Sequence, residues 1–231
     1  MKPGEIFNSS SKQDDQWMSV SDLMTGLMII FLFISISFIR DIRIDRDRIQ
    51  EIAITWQKTQ DLVYEALKKE FEKDLEKWKG KLVRENLSIT FPEAVGFERG
   101  SSKVSANFQR ILSKFFPRYL DVLEKYKDKI EEIRIEGHTS SEWSKNSSEI
   151  SAYIKNMELS QDRTRSVLNH TMYQKGLYSK HNWAKKMITA NGLSSSKIIR
   201  KKKNGKFLED RKRSRRVEFR VVTISKELIQ Q

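Results

Sequence analysis

The sequence has no cysteine and very little proline, and these absences narrow what the protein can be. Its 231 residues include no cysteine, three prolines and nine glycines. The lack of cysteine excludes disulfide bonds, thiol catalysis and cysteine-ligated metal centres. His138, His170 and His181 show no metal-ligand spacing, and there is no phosphate-binding glycine loop or nucleophile elbow. The sequence therefore gives no basis for an enzyme, a cofactor or a metal.

Acidic residues are outnumbered by basic residues, and the excess is unevenly placed. The chain has 44 lysines and arginines against 31 aspartates and glutamates, a net charge of +13. The segment before Arg40 runs against this trend, because its acidic residues outnumber its lysines. A basic region of this kind favours an anionic partner: nucleic acid, acidic lipid headgroups or an acidic wall polymer.

A long apolar run lies near the N-terminus, where residues 17–39 read WMSVSDLMTGLMIIFLFISISFI. About 20 apolar residues suffice to cross a bilayer core as a helix. The preceding residues, 1–16, lack the basic region of a signal peptide, and no A-x-A-like cleavage site follows. We therefore predict one uncleaved transmembrane helix over residues 17–39, preceded by a short tail. A buried core helix fits this length and apolarity less well.

One ionisable residue, Asp22, lies near the start of this run. A charged group in a membrane segment is costly and marks a functional candidate. Thr25 and Gly26 follow on the same helix face, where small residues let another helix approach closely. Removal from water favours the neutral form of a carboxylate, so Asp22 could take and release a proton. The alternative is an interfacial aspartate that caps the helix of a simple anchor, and the residues alone leave both open.

A highly charged segment follows, with one glycine and no proline between residues 43 and 85. Its apolar residues recur at spacings of three and four, which predicts a long amphipathic helix within residues 40–86. The stripe consists of Val63, Leu67, Phe71, Leu75, Trp78 and Leu82. It could pack on the chain's own C-terminal domain or on a second copy or another subunit, and the sequence does not decide between these.

Strand and helix patterns alternate after residue 86. Strands are predicted near the start of 87–105, in 130–141 and in 213–224, with helices over 106–128 and 156–176 and a short helix and strand in 183–196. This order predicts an α+β sandwich for residues 87–225, followed by a tail of residues 226–231.

Four segments of this domain carry a family resemblance. "IEGHTSS", "NMELSQDRTRSVL", "ANGLSSS" and "RSRRVEFRV" resemble, in order, the signatures of the OmpA C-terminal family, whose members bind the diaminopimelate of peptidoglycan. "SVSDLMTGLMIIFLFI" resembles the membrane helix of the MotB family, which forms a proton channel with MotA-like subunits. Among MotB-like proteins, the short chain, "DLMTGLM" and "GHTSSEW" are most similar to those of Zorya anti-phage systems.

The resemblance implies an architecture and a set of partners. It implies one N-terminal transmembrane helix, a long amphipathic linker and an OmpA-like α/β sandwich. Asp22 falls on the channel aspartate, Thr25 and Gly26 on the channel face, and residues 41–56 on a channel plug. Two copies of the chain are implied within a ring of about five MotA-like subunits, driven by the proton motive force. A flagellar stator subunit and a passive membrane-to-wall tether remain as alternatives.

The resemblance also implies a peptidoglycan site. The ligand-contacting positions of the family fall on Asn156, Leu159 and Arg163. A guanidinium can grip a carboxylate bidentately, so Arg163 is a chemically sensible contact. Its alternative is a surface arginine in an ion pair along the helix.

The family usually has an aspartate after "GHT", to hold the ammonium group of the ligand, and this chain has Ser140 there. The loop between Thr139 and Leu159 is also longer than the family implies. Glu142 and Glu149 are the candidates to supply the missing charge.

The orientation signals conflict. Arg40, Arg43, Arg46 and Arg48 follow the membrane run, and only Lys2 and Lys12 precede it, so the positive-inside rule predicts a cytoplasmic C-terminal side. A peptidoglycan-binding domain must instead lie in the periplasm. We give more weight to four ordered motifs, and expect a bacterial inner-membrane protein with a cytoplasmic N-terminus and a periplasmic domain.

The run "RKKKNGKFLEDRKRSRR", residues 200–216, is strongly basic. A solvated basic loop is the preferred interpretation, attraction to an anionic wall polymer is the second, and a nucleic-acid patch is the third. Nothing nearby resembles a binding groove with interleaved aromatic residues. We therefore expect no nucleic-acid partner.

Overall fold

The computed structural model describes residues 10–174 and 181–224 of the chain. The chain divides into two compact units, Met1–Ile54 and Thr55–Gln231. The predicted C-terminal tail and the predicted helix stop at Gly176 lie outside the described residues.

The first unit contains the N-terminal part of a single helix, α1, which runs from Ser10 to Trp78. Its most apolar window has a mean hydropathy of 2.2, and none of that window is buried. Large side chains such as Phe31 and Phe33 are exposed along it. By length and composition, the helix can cross a bilayer core, as predicted for residues 17–39.

The C-terminal part of α1 belongs to the second unit. Its apolar stripe is buried from Val63 to Leu75, with Val63, Leu67 and Phe71 fully inaccessible to solvent. The helix ends at Trp78, so the prediction that it continues to Leu82 is wrong: Leu82 lies in the strand Lys81–Val83. Of the two alternatives left by the sequence, the structure therefore shows the stripe packed on the chain's own domain. The compact unit begins at Thr55, so the predicted linker of residues 40–86 contributes its second half to the domain core.

A mixed five-stranded sheet forms the centre of the second unit, in the order β1-β2-β7-β3-β4. β3 pairs in parallel with β4, and all other neighbours are antiparallel. The strands are β1 Lys81–Val83, β2 Ser88–Pro92, β3 Ile130–His138, β4 Ile188–Gly192 and β7 Arg216–Thr223. The predicted α+β class is confirmed.

Besides α1 and a single 3-10 turn, Lys127–Lys129, five α-helices accompany this sheet within the described residues. They are α2 Glu93–Gly96, α3 Ala106–Glu124, α4 Glu149–Met172, α5 His181–Met187 and α6 Arg211–Ser214. α4 begins earlier than the predicted residue 156, because the side chain of Ser148 caps it by accepting the N–H of Ser151.

The basic run forms a hairpin that the sequence interpretation did not predict. β5, Arg200–Lys203, pairs with β6, Lys206–Glu209, as a separate two-stranded sheet. The turn residues Asn204 and Gly205 both have positive φ, 51° and 78°, which is the preference of tight hairpin turns. Most of this hairpin is exposed.

Side-chain alternation gives the five-stranded sheet one apolar face and one polar face. Phe219 lies at the centre of the apolar face, with its ring centroid 5.0 Å from that of Phe115 in α3. Ile133 and Ile135 are fully buried beside it. α4 lies directly against the sheet because Gly192 has no side chain: a Cβ there would come within 2.3 Å of the Gln161 nitrogen.

Candidate ligand pocket and membrane-helix carboxylate

A small pocket of roughly 140 Å³ opens at one end of the sheet. β2 and β3 both run antiparallel to β7, so their C-terminal ends lie at the same edge as the start of β7. The pocket is lined by Glu93, Arg99, Gly100, Thr139, Ser140, Glu142, Trp143, Asn156, Leu159, Arg163 and Arg215. The structure thus brings together the four predicted ligand positions, Ser140, Asn156, Leu159 and Arg163.

Arg163 is a buried residue of the pocket, only 3% exposed. Its Nη2 lies 2.6 Å from Oε1 of Glu93, and its Nε donates to the carbonyl of Ser101 at 2.9 Å. Its guanidinium also stacks 4.9 Å from the ring centroid of Phe97. Burial lowers the pKa of Arg163, and the charge of Arg215 adds to this, although Glu93 opposes both. The alternative of a surface arginine paired along its own helix does not hold.

Glu93 is the pocket residue that the sequence interpretation missed. Its second oxygen, Oε2, lies 2.6 Å from Nε of Arg215, so one carboxylate joins two arginines. Its backbone N–H also donates to the carbonyl of Arg215 at 3.0 Å. The available signal was its position, since an acidic residue directly after β2 must lie near the end of β3.

Ser140 stands where the family has an aspartate, and Glu142 and Glu149 are the candidates to supply the missing charge. The three residues lie in different environments. Ser140 is buried, and its Oγ lies 3.5 Å from Nη1 of Arg215. Glu142 lines the pocket, but its Oε2 lies 2.7 Å from Nη1 of Arg211. Glu149 is the exposed first residue of α4 and is not part of the lining. The carboxylates at the pocket are therefore Glu93 and Glu142.

The mouth of the pocket offers further polar and aromatic groups. Asn156 is buried and donates through Nδ2 to the carbonyl of Glu142 at 3.3 Å. Trp143 stands beside it and is partly exposed. Within the described residues, Nη1 of Arg163 makes no hydrogen bond. A ligand carboxylate could therefore be met by this guanidinium, and a ligand cation by Glu142 at the rim.

The other predicted functional residues, Asp22, Thr25 and Gly26, lie in α1. All three are exposed. The Thr25 hydroxyl donates to the carbonyl of Ser21 at 2.8 Å, and a Cβ added to Gly26 would meet nothing within 4 Å. The role of these three residues as a channel face stays a prediction.

A second polar cluster lies on the polar face of the sheet and could hold a metal ion. Ligand atoms of Glu136, His138 and Glu218 lie within 4.8 Å of one another, and all three residues are buried. The His138 Nε2 is 3.5 Å from Oε2 of Glu136, and Arg216 donates to Glu218. The spacing of the histidines in the sequence gave no hint of this grouping, because sheet pairing brings Glu218 to the other two.

Residues 96–213 match the OmpA family. The chain is 42% identical over 221 residues to Zorya protein ZorB of Escherichia coli, a match that covers 95% of this chain and 93% of that protein. The chain belongs to the ZorB proteins of the OmpA family. A match of 221 residues includes most of α1 and of the C-terminal unit of this chain.

Solved structures resemble the chain more distantly. A putative MotB-like protein from Desulfovibrio vulgaris is 19% identical with a TM-score of 0.48, covering 75% of this chain and 94% of that one. The cell wall anchor of the T6SS from Pseudomonas aeruginosa is 22% identical with a TM-score of 0.45, covering 68% and 96% respectively. Likeness at this level carries no functional information.

Proposed function

We propose that the chain is the ion-conducting subunit of a MotA/MotB-like rotary membrane motor, anchored to peptidoglycan and acting in Zorya-type anti-phage defence. The observation that carries the proposal is the 42% identity with E. coli ZorB. Because that match spans 95% of the chain, it includes the carboxylate-bearing membrane helix together with the wall-binding type of domain. A match confined to the domain would support only an anchor.

The proposed ion site is Asp22. Its helix is apolar and uncovered, with Thr25 and Gly26 leaving space beside the carboxylate for a partner helix. Enclosure by that partner would remove Asp22 from water and make its charged form costly, so binding and release of a proton would alternate with helix movement. The resemblance of "SVSDLMTGLMIIFLFI" to the membrane helix of the MotB family supports this choice of residue.

The proposed wall anchor is the Arg163 pocket. Arg163 and Asn156 would meet a carboxylate of the diaminopimelate side chain, and Leu159 its methylene groups. Ser140 cannot hold the ammonium group as an aspartate would, so we assign that role to Glu93 or Glu142. Anchoring would let the motor transmit torque to the wall.

The proposed assembly places two copies of the chain inside a ring of about five MotA-like (ZorA-like) subunits. The N-terminus would be cytoplasmic and the domain periplasmic, in the bacterial inner membrane. The uncovered apolar helix supports insertion in a bilayer. The proposed conducted ion is the proton.

Two alternatives make different predictions. A flagellar-type stator subunit would share the mechanism and differ in the phenotype, which would be swimming. A passive tether would use the helix and the pocket without ion transport, so a neutral residue at position 22 would be harmless. The match to ZorB favours the defence motor over both.

Phage plating efficiency tests the proposal in cells that carry the native operon. We expect wild type to protect and Asp22→Asn to lose protection, because asparagine cannot carry a proton. Asp41→Asn is the matched control, since it removes an exposed carboxylate beyond the apolar run. Equal protection by Asp22→Asn at the same membrane level would support the tether, and protection by neither protein would remove the defence assignment.

A further inference from the structure

A cavity of roughly 330 Å³ lies at the end of α1, outside the Arg163 pocket. No acidic residue lines it. Its lining includes four cations, Lys77, Lys79, Arg110 and Lys114. Two large apolar side chains, Trp78 and Ile111, also belong to the lining. The cavity therefore combines a concentrated positive charge with apolar side chains.

A second cavity, of roughly 500 Å³, shares Lys79 with the first. Its exposed cations are Lys79, Lys81, Lys212 and Arg213, and its floor includes Val83, Pro92 and Ile199. Of its two carboxylates, Glu218 already accepts from Arg216, which leaves Glu85 alone against four cations. We call the exposed cations of the two cavities the cationic strip.

The side chains of the cationic strip form no salt bridge in the part of the chain that the structure describes. Within residues 10–174 and 181–224, no carboxylate oxygen lies within 4 Å of their side-chain nitrogens; the nearby Asp210 accepts the backbone N–H of Arg213 at 3.3 Å and pairs with Lys201. Elsewhere in the domain arginines are paired, as Arg118 is with Glu70 and Asp74 at 2.6 and 2.7 Å. Seven like charges without salt bridges repel one another, and an anionic ligand would relieve that repulsion.

We propose that the cationic strip binds the free carboxylates of peptidoglycan stem peptides, as a second contact beside the Arg163 pocket. The inference rests on the wall anchoring proposed above. Stem peptides alternate carboxylates with alanine methyl groups. The strip offers the complementary pattern, because exposed cations and apolar side chains line both cavities.

The two sites are separate but close in the chain. No residue lines both the Arg163 pocket and the strip. Glu93 lines the pocket, and the next residue, Ala94, lines the first cavity. One polymer strand could therefore occupy both, and the second contact would form at high effective concentration.

The shape of the strip distinguishes this partner from other polyanions. Single-stranded nucleic acid is bound on successive aromatic platforms, whereas the only aromatic ring in the two linings is Trp78, which is half-buried. A flat bilayer surface would touch the rims of the cavities without filling them. A short acidic peptide with small apolar groups fits both features.

Binding of the full-length chain in detergent to purified sacculi tests the proposal. The variant combines Lys77→Gln, Lys79→Gln, Lys114→Gln and Lys212→Gln. We expect its affinity at low salt to fall roughly tenfold, as for the loss of four surface ionic contacts. The difference should shrink as salt rises, because screening weakens the wild-type contacts. The matched control neutralises four exposed lysines outside the strip: Lys103, Lys125, Lys127 and Lys155.

A second experiment modifies the polymer instead of the protein. Amidation of the carboxylates of sacculi removes the groups that both sites would bind, so wild type should bind amidated sacculi more weakly than untreated ones, and the difference between wild type and the strip variant should disappear. Equal loss in the strip variant and its control, or undiminished binding to amidated sacculi, would overturn the proposal. It would equally be overturned if the strip charges governed binding to DNA or to anionic vesicles but not to sacculi.

A separate measurement tests whether the Arg163 pocket binds peptidoglycan at all. A soluble muropeptide monomer probes the Arg163 pocket, and the strip variant should bind it as wild type does. If wild type binds no muropeptide, the pocket assignment fails, whereas the strip is still judged by native against amidated sacculi.

Discussion

Glu93 illustrates how one residue can organise a site. Its two oxygens each lie 2.6 Å from an arginine nitrogen, one from Arg163 and one from Arg215. The carboxylate compensates the buried guanidinium of Arg163 and fixes both arginines at the pocket wall. A buried charge that loses its partner is strongly destabilising, because the remaining charge is neither solvated nor neutralised.

Replacing Glu93 should therefore weaken the whole domain. We expect Glu93→Ala to lower the free energy of unfolding by about 3 kcal/mol, because it leaves Arg163 buried without a counterion. Chemical denaturation of the detergent-solubilised chain measures this. Glu98→Ala, an exposed glutamate close by, should change stability by no more than about 0.5 kcal/mol. Equal stabilities of the two variants would contradict the account of Glu93.

At the scale of elements, the sequence predicted those with strong periodicity. The buried stripe of α1, α3 and the strands β2, β3 and β7 follow from spacing and alternation. The early start of α4 depended on a serine cap, and the β5–β6 hairpin on two turn residues with positive φ. Both are local features that hydrophobic periodicity does not register.

Site residues divide in the same way. Arg163 and Asn156 could be placed from family motifs, because their segment keeps the family pattern. Glu93 and the Glu136–His138–Glu218 cluster depend on strand pairing between distant segments. A single sequence does not give that register.

The contact between α4 and β4 requires a glycine. A Cβ at position 192 would lie 2.3 Å from the Gln161 nitrogen, which is backbone and cannot rotate away. We expect Gly192→Ala to destabilise the domain by about 3 kcal/mol, the upper part of the range for overpacking. Thermal unfolding followed by circular dichroism checks this, and an unchanged melting temperature would show that the helix can shift at little cost.

The polar face of the sheet should make stability depend on acid pH. Burial alone would raise the pKa of Glu136, but His138, Arg220 and Arg134 outweigh it and lower the pKa. A carboxyl group whose pKa is lower in the folded than in the unfolded state stabilises the fold at any pH above its pKa in the unfolded state, which is about 4.3 for glutamate. This stabilisation is lost as the pH falls through the pKa of the folded state.

Comparing Glu136→Gln with wild type tests this. The variant should be less stable at pH 7, and the difference should narrow as the pH falls below about 4, where wild type also loses its charge. Denaturant unfolding at pH 7, 5 and 3 measures the difference. Parallel stability curves for the two proteins would show that Glu136 does not contribute this pH dependence.

On the scale of the whole molecule, one chain carries two kinds of chemistry. Its first unit presents a carboxylate on an uncovered apolar helix, and its second unit presents a guanidinium pocket and a strip of cations. A membrane segment would not need the second unit, and a wall anchor would not need a carboxylate in the first. Their combination in one chain is what a wall-anchored, ion-driven motor requires, and the ZorB match spans both.

Proton flux tests this combination most directly. Vesicles would contain the chain together with its MotA-like partner, with an imposed pH gradient and an internal pH-sensitive dye. The account predicts flux with wild type and with Asp41→Asn, and none above empty vesicles with Asp22→Asn. Flux that persists in Asp22→Asn, or no flux with the wild-type complex, would contradict the assignment of Asp22 as the ion site.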